Sequence, residues 1–454
     1  MRAADLGAAR VAIWGLGREG RAAIGWLRAR HPNLPLLLLD DAEDASAPAG
    51  LDRIQCAFGA AHVARALGQI DVLVKSPGVS LYRPEIAVAR GNAVKITSLL
   101  NLWFAENFGL ATICVTGTKG KSTTASLIAH MLGQLGRRVE LTGNIGVPIT
   151  EIDPAAADYA VIEVSSYQAA DFGGVCDVAV LTSLYPEHID WHRTLDVYYR
   201  DKLNLLRRSR CAIVNRETAL ALDRLREAPP PDIDFFNQRH GVHPLGSDIF
   251  DGNRRVGEVG NRYLARPHNV SNLCAALTVA KRLGLDLPAA LSATGDFRPL
   301  PHRQQELGEA SGVLFVDDSI STAPESTLAA LEVYAGHDIA VIVGGYDRGI
   351  DYHKLIVALA AGAARWVICL GASGERIHAG LRAANGARRE TAPAAFRAQS
   401  MDDAVGYAKQ VTAPGSVVLL SPAAPSYGYY RDFAERGRDF AEKVALPAGA
   451  GQTL

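Results

Sequence analysis

An α/β protein of three domains, each organised on a parallel sheet, is what this 454-residue sequence predicts. Three observations lead there. Short β-branched runs recur along the chain, and each is followed by a longer segment with helical spacing of its apolar residues. The strand runs are apolar throughout, as strands covered on both faces by helices tend to be. The length also exceeds what one hydrophobic core normally serves, which favours two to four domains.

Taken in order, residues 11–14, 36–40, 71–74, 112–116, 159–164, 178–184 and 211–215 read as the first strands. A later set occupies 313–316, 339–343, 366–370 and 416–420. Between them, Ala-, Leu- and Arg-rich stretches such as 21–30, 123–136 and 271–285 read as helices. The strands fall into groups with boundaries near Thr97 and Leu300, giving domains at 1–98, 99–299 and 300–454. The Pro-rich stretch 228–232 and the Gly/Asp-rich stretch 246–260 are expected to be surface excursions of the middle domain. The Gly/Ala-rich tail beyond Leu446 is expected to fray.

Composition removes several classes of function. With 48% hydrophobic and 21% charged residues the chain is of the soluble globular kind. Its 47 basic and 48 acidic residues leave a net charge of -1, so neither a polybasic nucleic-acid surface nor an acidic tail is indicated. The six cysteines (Cys56, Cys114, Cys176, Cys211, Cys274 and Cys369) stand singly, mostly within apolar runs, and read as reduced thiols. The first ten residues contain no apolar targeting core, and no apolar run is long enough to span a bilayer. A cytoplasmic location is expected.

Two glycine-rich loops carry the chemistry. Val11-Ala12-Ile13-Trp14 runs into Gly15-Leu16-Gly17-Arg18-Glu19-Gly20 and then a helix, with Asp40 ending the next strand roughly 20 residues on. That pattern suits a nucleotide diphosphate at a helix N-terminus. NAD and a UDP-sugar meet it equally well. The second loop decides the class. Residues 112–116 lead into Gly117-Thr118-Lys119-Gly120-Lys121-Ser122-Thr123-Thr124 and a long helix, which is the strand–loop–helix setting of a P-loop. Backbone amides from Gly117 to Lys121 would cradle phosphates, Lys121 would neutralise charge, and Ser122 or Thr123 would reach Mg²⁺. Val115 stands where the strict motif has glycine, so this is a shortened variant. Glu163 ends a strand in EVSSYQ, His188 lies in PEHID just past another, and Lys202 lies early in a helix within YYRDK. Such strand ends are where open α/β sheets bind ligands.

With these residues in view the chain resembles the Mur ligases, and among them the branch that joins glutamate to a UDP-N-acetylmuramoyl-alanine. The resemblance runs nearly the whole length. It takes in the GLG loop, SPG at 76–78, TGTKGKST, GNIG at 143–146, EVSS at 163–166, HIDWH, YYRDK, and His268, Asn269 and Asn272. PHR at 301–303, DDS at 317–319, Gly344-Gly345 and SPA at 421–423 follow. Folylpolyglutamate synthases look similar in the central domain but lack this N-terminal unit. The resemblance implies a Rossmann-like first domain, a central P-loop ATPase domain, and a Rossmann-like last domain that binds the incoming amino acid. It implies that Ser122, Glu163 and His188, with Lys202 as a carbamate, hold two Mg²⁺ ions, and that Lys121 binds the ATP phosphates. Asn272, Arg303 and Asp318 would hold the adenosine. Gly15, Gly17, Arg18, Asp40, Ser76 and Asn144 would face the UDP-muramoyl substrate. A monomer is expected. An NAD-dependent dehydrogenase would account for the first loop but not for GKST, His188 or the third domain.

The last domain departs from the pattern usual for D-glutamate, which reads DSKATN after its first strand. Here the residues are Asp318-Ser319-Ile320-Ser321-Thr322-Ala323, so an apolar branched group replaces a lysine. Arg348 keeps a cation where that branch has lysine, and its planar fork favours bidentate contact with a carboxylate. The later loop, SPAAPSYGYYRDF, offers Ser426, Tyr427, Tyr429, Tyr430 and Phe433; with Ser321 and Thr322 these are candidates for the amino-acid pocket. A related branch adds L-glutamate and works with a separate epimerase. The departures favour that branch over one using D-glutamate.

Overall fold

The structure, a computed structural model, describes every residue except 49, 51, 107, 146, 385–392 and 445–454, and omits the side chain of His268. Gly146 of the GNIG motif and the tail therefore lie outside the described residues. Two compact units emerge, Met1–Phe297 and Arg298–Leu454.

The first unit opens with a five-stranded parallel sheet. Its strands are β1 (Val11–Trp14), β2 (Leu36–Asp40), β3 (Ile54–Phe58), β4 (Val72–Lys75) and β5 (Lys95–Thr97), in spatial order 3-2-1-4-5. Helix α1 (Arg18–Arg30) follows β1, and α2 (Ala60–Ala66), α3 (Pro84–Gly91) and α4 (Leu99–Glu106) complete this part. β1 pairs with β2 on one side and β4 on the other. The chain thus reverses direction across the sheet between β1 and β4. The loops after these two strands open together at that switch point, where such sheets bind ligands.

A nine-stranded sheet forms the rest of the unit. Helix α5 (Lys121–Gln134) follows β6 (Ala111–Thr116), and β7 (Val139–Gly143) and β8 (Tyr159–Glu163) come next. Then follow α6 (Ser166–Asp171), β9 (Cys176–Leu181), α7 (Ile189–His192), α8 (Leu195–Arg207), β10 (Ser209–Asn215), α9 (Ala219–Glu227) and β11 (Ile233–Phe236). The sheet closes with β12 (Val242–Leu245), β13 (Asp248–Asp251) and β14 (Arg254–Glu258), before α10 (Pro267–Arg282) and α11 (Leu287–Ser292). Alternation along β6 builds two cores: Ile113 and Val115 pack toward α5 and α10, while Cys114 packs with α6 and α8. Five of the six cysteines are buried and Cys56 is exposed.

Two readings of this region need correction. Residues 246–260 are not an excursion: they supply β13 and β14, which continue from β12 as an antiparallel meander that extends the sheet. Gly246 (φ 63°) and Gly252 (φ 57°) make its two turns. Gly/Asp richness there encodes hairpin turns, and Asp248 pairs with Arg255 at 2.7 Å across the second hairpin. The strand read at 178–184 ends at Leu181 in the structure, and beyond it the Thr182 and Ser183 hydroxyls donate to Lys119 O.

The second unit is a six-stranded sheet. Its elements are β15 (Gln305–Ala310), β16 (Val313–Asp317), α12 (Pro324–Val333), β17 (Ile339–Gly344), α13 (His353–Ala358), β18 (Trp366–Leu370), α14 (Gly371–Ala384), β19 (Ala394–Ala398), α15 (Met401–Val411), β20 (Val417–Leu420) and α16 (Phe433–Val444). The order is β15-β16-β20-β17-β18-β19, parallel except for β15, which pairs antiparallel with β16. No helix among the described residues is long and apolar enough to cross a membrane.

Candidate active site

The P-loop is built as its sequence requires. β6 delivers the chain to Gly117 (φ 151°), where a Cβ would stand 2.0 Å from Thr182 Oγ1. At Gly120 (φ 84°), which caps α5, a Cβ would meet Asn272 Oδ1 at 2.4 Å. Only glycine fits either position. The loop is then tied down from below. Thr182 Oγ1 donates to Lys119 O at 2.5 Å, Lys119 N donates to Ser183 Oγ at 2.8 Å, and Thr118 Oγ1 lies 2.8 Å from Tyr198 Oη. Thr182 and Ser183 were invisible as site residues in the sequence, since hydroxyls beyond a strand end have no distinctive spacing, and Tyr198 was given no role within YYRDK. Lys121 Nζ donates to Thr118 O at 2.9 Å, folded back over the loop, and Ser122, Thr123 and Thr124 are buried at the start of α5. Asn272 lies beneath the loop, with Thr124 Oγ1 donating to its Oδ1 at 3.1 Å and its own Nδ2 donating to Asn269.

Glu163, His188 and Lys202 come together beside this loop. Glu163 is 1% exposed at the end of β8; its Oε1 accepts from Asn144 Nδ2 at 3.0 Å, while its Oε2 is buried without a hydrogen-bond partner. Lys202 is 1% exposed and donates to Gly117 O at 2.9 Å. Burial first, then the Lys121 ammonium, push its pKa well below the ordinary lysine range, against the pull of Glu187 and Glu163. His188 stands in the left-handed region (φ 57°) before α7, with Nδ1 3.0 Å from Tyr167 Oη. Burial lowers its pKa to about 4, so its imidazole is neutral at pH 7. Glu187, which sequence reasoning passed over, pairs with Lys119 at 2.7 Å. A buried carboxylate oxygen lacking a partner, a neutral imidazole and the Ser122 hydroxyl fit a divalent cation. No three His, Cys, Asp or Glu side chains cluster as ligands among the described residues.

The first glycine loop sits across from these groups in the same unit. Gly15 (φ 92°) packs so closely on Ser76 that a Cβ would approach the Ser76 Cβ to 2.9 Å, whereas Gly17 has nothing within 4 Å of that position. Space is therefore open at Gly17 only. Asp40 Oδ2 accepts from Leu16 N at 2.8 Å and Ser76 Oγ donates to Gly15 O at 2.6 Å, so both brace the loop. Arg18 donates to Gly143 O (2.8 Å) and Asn144 O (3.2 Å), drawing the GNIG segment against this loop. Glu19, at the start of α1, accepts from Gln168 Nε2 at 2.6 Å, and burial lifts its pKa to about 7 despite Arg18 and Lys75. The fold thus favours its neutral form. The penalty for ionising it is absent below about pH 4.5 and complete above about pH 7, where it amounts to about 3 kcal/mol. Glu19→Gln is expected to raise the melting temperature at pH 8.5 and leave it nearly unchanged at pH 4; equal effects at both would contradict this.

In the second unit Asp318 is 2% exposed, accepts from Gln304 N (3.2 Å) and Ser421 Oγ (2.7 Å), and is raised to about pKa 6 by burial, with Arg303 opposing. Arg348 donates to Thr322 O at 2.8 Å, which joins its loop to the Ile320-Ser321-Thr322 segment. Ser426 and Tyr430 instead line a cavity of ≈ 930 Å³ with Gly344, Gly345 and Arg436, and Tyr430 Oη donates to Asp439 at 2.6 Å. Phe433 lies outside that cavity, its ring 6.2 Å from His302 and its carbonyl accepting from Ser319 Oγ. The residues named for the amino acid thus fall into separate groups. Arg436, absent from that set, is 3% exposed and clamps both loops through Ser319 Oγ, Ser319 O and Ala424 O. Tyr427 and Tyr429 are more than half exposed.

A P-loop sheet that follows a glycine-loop α/β domain in the first unit, with a further α/β sheet in the second, defines a class. The chain belongs to the Mur ligase family, matching its MurD-like N-terminal domain over residues 9–98, its middle domain over 115–280 and its glutamate ligase domain over 302–424. Members of this family are ATP-dependent ligases that form carbon–nitrogen bonds in peptidoglycan precursor synthesis. Among its relatives, the UDP-N-acetylmuramoyl-L-alanine--L-glutamate ligase of Xanthomonas euvesicatoria pv. vesicatoria is 40% identical, with 99% of this chain and 98% of the relative covered. A protein of the same name from Micromonospora sp. is likewise 40% identical, covering 99% of each chain. The MurF ligase of Thermotoga maritima, solved in complex with ADP, shares the fold with a TM-score of 0.56 at 17% identity, covering 96% of this chain and 93% of that one.

Proposed function

We propose that the protein joins L-glutamate to the alanine carboxyl of UDP-N-acetylmuramoyl-L-alanine, converting ATP to ADP and phosphate through an acyl-phosphate. The observation that carries this reading is the P-loop beside the buried Lys202 and the unpaired Glu163 oxygen, supported by relatives that bear this substrate pair in their names.

The chemistry follows from the substrates. A carboxylate is a poor electrophile at neutral pH and must first carry a leaving group. The alanine carboxylate attacks the γ-phosphorus of ATP, forming the acyl-phosphate and releasing ADP. Loop amides from Gly117 to Lys121 cradle the phosphates, and Lys121 turns from Thr118 O toward the transferring phosphoryl group. The glutamate amine then attacks the acyl carbon; phosphate leaves, the amine loses a proton, and the amide remains. Gly17 leaves room for the pyrophosphate of the UDP substrate, and Asn144, Ser76 and Asp40 hold the surrounding loops. Asn272, Arg303 and Asp318 belong with adenosine. Ser122, Glu163 and His188 would hold two magnesium ions, and the bound metal would supply charge neutralisation at the phosphate oxygens. Burial holds the Lys202 pKa well below the ordinary lysine range, which favours loss of its proton. The free amine would add its nitrogen to CO₂ and lose a further proton to form a carbamate. That reaction would place a second anionic oxygen donor, at Lys202, beside the Glu163 carboxylate.

Ile320 and Arg348 support L-glutamate. A branched apolar group stands where the D-glutamate pattern has an ammonium, and the Arg348 fork is tied to the same segment. The product, a UDP-muramoyl-L-alanyl-L-glutamate, would then need an epimerase before it could enter a D-glutamate-containing wall. Two domain boundaries, near residues 98 and 299, and a cytoplasmic monomer complete the proposal. Purified protein with ATP, Mg²⁺ and UDP-N-acetylmuramoyl-L-alanine is expected to release phosphate with L-glutamate and not with D-glutamate. The product mass should match one added glutamate. Turnover with the D-enantiomer alone would reverse the stereochemical assignment.

A further inference from the structure

We propose that Tyr82, Asp201 and His192 are positioning residues that lock the His188 loop and Lys202 to the SPG loop of the N-terminal domain. The substrate side and the metal side of the site would thereby hold one geometry. This rests on the reading of His188 and Lys202 given above. Asp201 directly precedes Lys202 on α8 and is 4% exposed, and among the described residues its ion-pair partners are His192 and the largely exposed Arg200. Its carboxylate is saturated instead by Tyr82 Oη, 2.7 and 2.6 Å from its two oxygens, and by His192 Nδ1 at 2.8 Å. Arg200, largely exposed, adds a contact at 3.3 Å and donates to Tyr82 Oη at 2.8 Å. His192, fully buried, reaches Ser166 Oγ with Nε2 at 3.1 Å, three residues beyond Glu163.

Adjacent residues on a helix point about 100° apart. Fixing Asp201 therefore fixes the roll of α8 and with it the direction of Lys202. The same loop is stitched to the N-terminal domain a second time: Trp191 Nε1 donates to Pro77 O (3.0 Å) and Gly78 O (3.2 Å), and Ser80 Oγ donates to Trp191 O (2.6 Å). Tyr167 stacks on Trp191 at 4.7 Å while its hydroxyl meets His188. Positive φ at both His188 (57°) and Arg193 (73°) shows a backbone held by its surroundings rather than by local preference.

His192→Phe keeps a planar ring and removes both polar atoms; His192→Asn returns an N–H near the place of Nδ1. The Phe variant is expected to raise the half-saturating Mg²⁺ concentration and lower kcat, each by about 10- to 100-fold. KM for glutamate should stay within about twofold, since that substrate belongs to the other unit. The Asn variant should recover most of the loss, and Tyr82→Phe should raise KM for the UDP substrate. Independently of activity, hydrogen exchange should quicken together in residues 188–193 and 76–82 of the Phe variant, with the rest of the chain unchanged. A folded His192→Phe protein with unaltered Mg²⁺ requirement and unaltered exchange in both loops would overturn the proposal. So would a uniform loss, glutamate KM included, that Asn does not repair. Absence of Mg²⁺-dependent ligation by the unsubstituted protein would instead sink the ligase reading, and the exchange experiment would still decide the linkage of the loops.

Discussion

Lys202→Ala is expected to lower kcat by about 10²- to 10³-fold, the scale of losing one preorganised charge at a transferring phosphoryl group. The cause lies in where the side chain sits. Its ammonium is buried under the P-loop against Gly117 O, with Lys121 and Lys119 nearby, so that a cation there is disfavoured. A neutral amine in that place can capture CO₂, and the resulting anion would suit a site already holding Lys121. Two measurements separate this from simple loss of packing. Activity of the unsubstituted protein should fall in CO₂-depleted buffer and return with bicarbonate, and ¹³C-bicarbonate should yield a carbamate resonance that Lys202→Ala lacks. Full activity without CO₂ would show that the lysine acts unmodified.

Lys121→Met should cost about 10³-fold in kcat/KM while leaving the fold intact. The side chain is half-buried and its ammonium is spent on the loop carbonyl Thr118 O, an interaction that water can replace. Its value comes when phosphate charge is present. Methionine keeps the length and apolar stem but brings no charge to the transition state. The loss should therefore appear in kcat more than in the melting temperature, and arginine should restore little because its fork does not fit a cradle shaped for a point charge. A variant that retained more than about a tenth of wild-type turnover would remove Lys121 from the phosphoryl-transfer step.

Much of the site was legible because its chemistry imposes spacing. A strand feeding a glycine loop that feeds a helix has one geometry, and Gly117 and Gly120 show why: a methyl group at either would collide with Thr182 or Asn272. Glu163 was legible as a carboxylate at a strand end and Lys202 as a lysine early in a helix, its carbamate role only through resemblance. Illegible were the residues that act by proximity without spacing, such as Thr182, Ser183, Tyr198, His192 and Arg436. Most lie far in sequence from a partner, and a single hydroxyl, imidazole or guanidinium carries no signature until the chain is folded. The meander at 246–260 was misread because glycine and aspartate mark turns without saying whether strands flank them.

By itself the sequence determined the α/β class, the P-loop, the order of the family's motifs and the substitution of Ile320 for a lysine, because these depend on local conformation and residue chemistry along the chain. Only the tertiary structure decided that Asp40 and Ser76 brace the first loop, that one oxygen of Glu163 is left unpaired, and that burial pulls down the pKa of Lys202 and of His188. Hydrogen-bond partners and desolvation are set by groups distant in sequence. They exist only once β6, β8, β9 and α8 have been brought side by side.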